Sequence, residues 1–237
     1  MRCFLVTMLA AVSVNAAAFS NNTLTVCVEE ALASHAGRAS AIENLQQAGR
    51  RLGLTVNVAV MPWRRCLLSA DKGLVDAAAF TAYVGDNIPR FAFPMSGDKA
   101  DPARSMRHSK IMLYRRAGAS QDFDGVQLSP PHAVVGVRRG VLATQLQVRK
   151  VGGELDEGSE DFEVILRKLQ LQRTDLAALS EGEADRLIVE RFSGQIEKLP
   201  LPLFDQYTYL AFNRDAYRRD SALVERLWDE LGKTPRK

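Results

Sequence analysis

The sequence predicts an α/β protein built as two units of alternating strands and helices. Three observations carry that reading. Residues 23–82 run strand–helix–strand–helix–strand, which argues for a parallel sheet with helices packed on it. The pattern restarts at residue 132 with a new strand, glycine and helix. The last amphipathic segment, 220–233, has no partner in the second unit and would pack back on the first. Two lobes, two crossings of the chain and a cleft between the lobes follow. In open α/β sheets ligands bind beyond the carboxyl ends of the strands, and two lobes permit hinge closure around a ligand.

The elements follow in chain order. Arg2 precedes the apolar stretch CFLVTMLAAVSV, and NAAAFS then supplies small residues at A-x-A spacing. This is the pattern of a secretory signal peptide, expected over residues 1–18 with cleavage near Ala18. The run is shorter than the ~20 residues that span a bilayer, which argues against the alternative of a membrane anchor. A soluble, periplasmic, monomeric protein is expected. TLTVCVEE (23–30) reads as strand one, and residues 38–53 as a helix with Ile42, Leu45, Ala48 and Leu52 on one face. LTVNVAVM (54–61) alternates as strand two, and Pro62 opens a helix where its missing N–H costs nothing. LVDAAAFTA (74–82) is a continuous apolar run suited to a strand buried on both faces. SKIMLYRRAG (109–118) and HAVVGVRRG (132–140) are further strands, and VLATQLQVRKVGG is a helix. DFEVILRKLQLQRTDLAALSEGEADRLIVE is expected to hold a strand, a helix and another strand; YTYLAFNRD (207–215) is a strand rich in aromatic residues. Lobe one is thus expected over 19–114 and 208–237, and lobe two over 115–207.

Composition narrows the function classes. The chain of 237 residues is 46% hydrophobic and 25% charged, as in folded soluble proteins. A net charge of +3, with no basic stripe interleaved with aromatics, argues against nucleic acid as partner. Histidines 35, 108 and 132 are scattered, and none has a partner at metal-ligand spacing. There is no G-x-S-x-G nucleophile elbow and no glycine-rich phosphate loop. Glu29 and Glu30 are adjacent on a strand, so they point to opposite faces and make a poor acid–base couple. No metal, cofactor or catalytic residue is expected.

The order of the segments LTVCVEE, MPWRRCL, GLVDAAAFTAYVGDNIPRFAFPMS, IMLYRR, AVVGVRRG, GEADRLIVE and YTYLAFNRD resembles the amino-acid-type (family 3) periplasmic solute-binding proteins, which have the type II periplasmic-binding fold. The G-x-x-D-A step followed by P-R-F-A-F-P is its most specific piece, and PWRRCL is similar to a divergent branch of that family. The resemblance implies a ligand cleft at the strand ends. Glu29 would face its mouth. Thr81, Ala82 and Tyr83 would offer hydroxyls and backbone donors to a ligand carboxylate, and Arg90 would clamp that carboxylate with its planar fork. Val141 stands where the family often has serine or threonine; it keeps the N–H and lacks the hydroxyl. Arg138 and Arg139 add charge nearby. Glu190 falls where the family carries the acid that meets a ligand's amino group.

Trp63 and Arg64 follow strand two on the cleft side. Tryptophan offers apolar area and one N–H donor for a pocket wall. The helix dipole disfavours cations in a first turn, so Arg64 and Arg65 call for an anionic ligand or for Glu29 and Glu30. Export removes Cys3 and leaves Cys27 and Cys66, an even pair in an oxidising compartment. Neighbouring strands one and two would bring them close enough for a disulfide; two buried free thiols are the alternative. The function expected is capture of a small polar, amino-acid-like ligand for an ABC-type importer or a membrane sensor. An interaction module without ligand, or a dehydratase-like enzyme on the same fold, are the alternatives.

Overall fold

The computed structural model describes residues 22–29 and 36–233. The expected signal peptide, Glu30 and His35 lie outside those residues. In chain order the elements are β1 (Thr23–Glu29), α1 (Ala36–Arg51), β2 (Thr55–Met61), α2 (Trp63–Asp71), β3 (Ala77–Ala82), α3 (Asn87–Arg90) and β4 (Phe91–Ala92). A small hairpin, β5 (Met95–Ser96) with β6 (Lys99–Ala100), leads to β7 (Arg107–Arg116). A second hairpin, β8 (Asp122–Phe123) with β9 (Leu128–Ser129), precedes β10 (Val134–Arg138), α4 (Leu142–Lys150), β11 (Glu154–Ser159) and α5 (Phe162–Gln170). Then come β12 (Leu176–Ser180), α6 (Glu181–Arg191), β13 (Ile196–Asn213), α7 (Arg214–Arg219) and α8 (Ser221–Gly232).

One sheet runs through the molecule in the order β11-β10-β12-β7-β13-β3-β1-β2, with β4 paired to β13. At each end three strands are parallel: β2-β1-β3 and β11-β10-β12. Each trio meets a central strand antiparallel, β3 against β13 and β12 against β7. β13 and β7 pair antiparallel with each other from Ile196–Arg116 to Thr208–Arg107. The fold is therefore α/β and two-lobed, with two connecting strands at its centre.

Strand alternation divides the core. Val26 and Val28 face a cluster with Leu45, Leu210, Phe212 and Trp228, while Cys27 between them faces Cys66, Phe91 and Tyr209. Likewise Val135 and Ala178 face one cluster of the second unit, while Ala177 and Leu179 face another built on Leu166 and Phe192. The terminal helix α8 packs on the first unit through Leu223, Val224, Leu227, Trp228 and Leu231. Trp228 is fully buried, and its indole N–H donates to the Leu210 carbonyl at 2.8 Å.

Three sequence expectations need correction. The segment starting at DFEV opens as helix rather than strand, because Asp161 caps it by accepting from the Glu163 and Val164 amides. The segment GEADRLIVE forms helix α6 rather than a strand: Ala184, Leu187 and Ile188 share one face and pack on the core. The strand expected at 207 begins eleven residues earlier, at Ile196. Pro200 and Pro202 conceal it, and the β13–β7 register slips around Pro202. The charged strand β11 was also missed; it is an edge strand, where polar residues are tolerated.

Candidate functional site

A cavity of about 310 Å³ opens between the two units at the carboxyl ends of the parallel strands. The first unit contributes Glu29 from the end of β1, Trp63 and Leu67 from α2, Phe80 and Ala82 from β3, and Val84, Asp86, Asn87 and Arg90 beyond it. The second contributes Arg138 from the end of β10, Gly140 and Val141 after it, and Leu142, Ala143 and Gln145 from the start of α4. The connecting strands form the remaining wall through Arg107, Ser109, Gln206 and Thr208.

Local irregularities aim these side chains. Between Tyr209 and Ala211 the β13–β3 register slips, so that β3 carries one extra residue. Phe80 occupies this bulge with φ 59°. A bulky residue in the left-handed region costs about 1–3 kcal/mol and is kept where its surroundings fix it; bulges re-aim side chains in this way. Phe80 and Ala82 then share the cavity wall, and Thr81 between them is buried elsewhere, its hydroxyl donating to the Ala78 carbonyl at 3.1 Å. Gly140 turns with φ 76°, and a Cβ there would lie 3.8 Å from Trp63 across the cleft.

The charges in the cavity differ in how they are partnered. Arg138 from lobe two meets Glu29 from lobe one at 2.6 Å, with side chains only 12% and 8% exposed. Arg138 also donates to the Glu160 carbonyl at 3.0 Å. Arg90 lines the cavity, but its guanidinium is held by Asp71 at 3.0 Å and lies 5.4 Å from the Phe91 ring centre. Arg107 makes no ion pair among the described residues; it has one long contact, 3.4 Å, to the Ser180 hydroxyl. Burial lowers its pKa from the ordinary arginine value, and the attraction of Glu183 offsets this only in part. The Thr208 hydroxyl oxygen is buried with no hydrogen-bond partner among the described residues. A buried polar group left so costs about 1–3 kcal/mol.

Of the residues singled out in the sequence, Glu29, Trp63, Ala82, Arg90 and Val141 line the cavity. Thr81 does not. Tyr83 turns away: its hydroxyl is 3.5 Å from the Asp98 carbonyl and its ring stands edge-on to Phe93. Arg64 is exposed in the first turn of α2, and Glu29 is taken by Arg138 instead. Glu190 is exposed on helix α6, outside the cavity, because that segment is helical. Cys27 and Cys66 form a disulfide with Cα atoms 5.5 Å apart. Sequence reasoning missed Arg107, Ser109, Gln206 and Thr208. Their signal was polar alternation within strands, RHSK and DQYT, which reads equally as solvent-facing.

Among the described residues no group of three or more histidine, cysteine or acidic side chains is arranged to hold a metal ion. No helix of the described residues is long and apolar enough to cross a membrane.

Comparison with solved structures decides the architecture. A ligand-binding core from Nostoc punctiforme in complex with L-glutamate superimposes with a TM-score of 0.62 at 14% identity, covering 88% of this chain and 96% of that one. This chain has the two-lobed type II periplasmic-binding fold. An amino acid ABC transporter substrate-binding protein from Streptococcus pneumoniae bound to L-arginine gives a TM-score of 0.64 at 14% identity, covering 90% and 89%. A domain of BvgS from Bordetella pertussis gives 0.60 at 16% identity, covering 89% and 90%. Comparison with protein-family models finds no match, and neither does comparison with curated proteins. At these identities the type II periplasmic-binding fold is what is shared, and the cavity lies in its interlobe cleft.

Proposed function

We propose that this protein is an exported solute-binding protein. It captures a small polar, carboxylate-bearing molecule between its lobes and passes it to an ABC-type importer, or signals its presence to a membrane sensor. The carrying observation is the cavity of about 310 Å³, lined from both lobes and from the strands that join them. We place lobe one at 19–114 and 208–237 and lobe two at 115–207, with β7 and β13 as hinge; the separate core clusters support two lobes, and Ile111, Met112, Leu113 and Tyr114 of β7 pack into those of the second. The Cys27–Cys66 bridge and the N-terminal signal pattern support export to the periplasm. The protein works as a monomer that binds and releases, without a catalytic step.

The test is a thermal-shift screen of the chain from residue 19 against organic acids, amino acids, polyamines and sugars. A ligand at ~100 times its Kd adds about 2.7 kcal/mol when it binds only the folded state, roughly 5–10 °C for a chain of this size. A selective rise is expected. A flat screen on protein that unfolds cleanly and carries no retained small molecule would contradict the reading.

A further inference from the structure

We infer that the cleft is built for a small monocarboxylate with an apolar body, whose carboxylate sits at the hinge against Arg107 and which needs no ammonium group. This deepens the solute-binding reading and rests on it.

Charge placement gives the first argument. Three arginines line the cavity. Arg90 is paired with Asp71, and Arg138 with Glu29. Arg107 has no ion pair among the described residues: a long hydroxyl contact to Ser180 and the attraction of Glu183 are what it meets, and that attraction leaves its burial only partly offset. One guanidinium suits a monoanion, and its planar fork suits a carboxylate. Burial disfavours the charged form of Arg107; a ligand anion beside it would offset that cost.

Strand register gives the second. On the antiparallel pair, Arg107 lies opposite Thr208 and Ser109 opposite Gln206. Residues opposite each other and two apart share one face, and all four line the cavity. The Thr208 hydroxyl is the unsatisfied buried group of this set. A carboxylate held by Arg107 would lie on the same face of the strand pair as this hydroxyl. On this face the hinge strands thus offer a cation and neutral donors; the acid that acts on Arg107, Glu183, belongs to α6 and is not among the residues lining the cavity. An α-ammonium group, one carbon from the carboxylate, would be set beside Arg107 and repelled. Of the two acids at the cavity, Glu29 is already engaged and Asp86 is exposed beside α3. Trp63, Leu67, Phe80 and Leu142 give the remaining walls an apolar surface for the body of the ligand, beside the polar Asn87 and Gln145.

Titration calorimetry on the chain from residue 19 decides the matter, with phenylacetate and 4-methylpentanoate against their neutral amides and against L-phenylalanine and L-leucine. The acids are expected to bind, the amides roughly 10- to 100-fold more weakly, and the amino acids more weakly than the acids. Arg107→Gln should erase the preference for acid over amide, and Arg107→Lys should retain part of it. Thr208→Val should raise the melting temperature of the ligand-free protein while lowering acid affinity several-fold. Amino acids binding more tightly than the acids, or acids binding Arg107→Gln as they bind wild type, would overturn the inference and leave the solute-binding reading standing. Silence towards the acids also overturns it; the wider thermal-shift screen then shows whether another ligand class keeps that reading alive.

Discussion

Arg90 and Arg107 show how contacts separate two similar side chains. Arg90 is spent on Asp71 in a partly exposed pair, and such pairs contribute about 0–1 kcal/mol. Arg90→Ala should therefore lower stability by no more than about 1 kcal/mol in chemical denaturation, and weaken carboxylate binding less than Arg107→Gln does. Trp228 marks the opposite extreme: fully buried, hydrogen-bonded to Leu210, edge-on to Phe212 and stacked on Tyr217. Trp228→Ala should cost about 3–5 kcal/mol in the same measurement. At this scale the sequence shows residue type well and direction poorly. The positions of Glu29, Trp63 and Val141 on the cavity wall were legible because strand ends and helix starts point to a cleft. The directions of Thr81 and of Tyr83, which follows β3, were not, because the bulge at Phe80 sets which side chains here face the cavity, and no composition signal announces a bulge.

At the scale of elements, the disulfide ties strand β1 to helix α2 over a separation of 39 residues. Chain-entropy reasoning assigns about 4 kcal/mol to a loop of that length, and measured values are often smaller. Cys66→Ala, or reduction of the wild-type protein, should lower unfolding free energy by about 2–4 kcal/mol in urea titration. An unchanged midpoint would show that the bridge contributes nothing at equilibrium. The helices and parallel strands around this bridge were legible, since apolar spacing of 3.6 residues and continuous apolar runs both survive in the sequence. Strand β11 was hidden by its charges and the first half of β13 by its prolines. Helix α6 misled in the other direction: read as a strand, it placed Glu190 at a cleft mouth, whereas the helical face turns it to solvent.

For the whole molecule, the two lobes meet directly through Glu29 and Arg138, across 109 residues of sequence. Removing one partner of a nearly buried pair leaves the other charge desolvated. Lobe opening returns that charge to water. Arg138→Gln should therefore expand the ligand-free protein, seen as a larger radius of gyration in small-angle scattering. Glu29→Gln with Arg138→Gln should reverse most of that expansion. Equal radii in all three proteins would mean that this pair does not hold the lobes together. The two-lobed plan itself was legible from the order of strands and helices and from a terminal helix lacking a local partner. The cavity's third wall was not, because it depends on how β7 and β13, far apart in the chain, register against each other.

The most direct test of the central claim, that a small molecule binds between the lobes, is the emission of Trp63 during titration with whichever compound raises the melting temperature. Trp63 lines the cavity, while the protein's other tryptophan, Trp228, is buried in the lobe-one core. The account predicts a saturable change in emission that Trp63→Phe removes while Trp228 emission stays constant. Saturable binding with no change at Trp63 would place the ligand outside the cleft and contradict it.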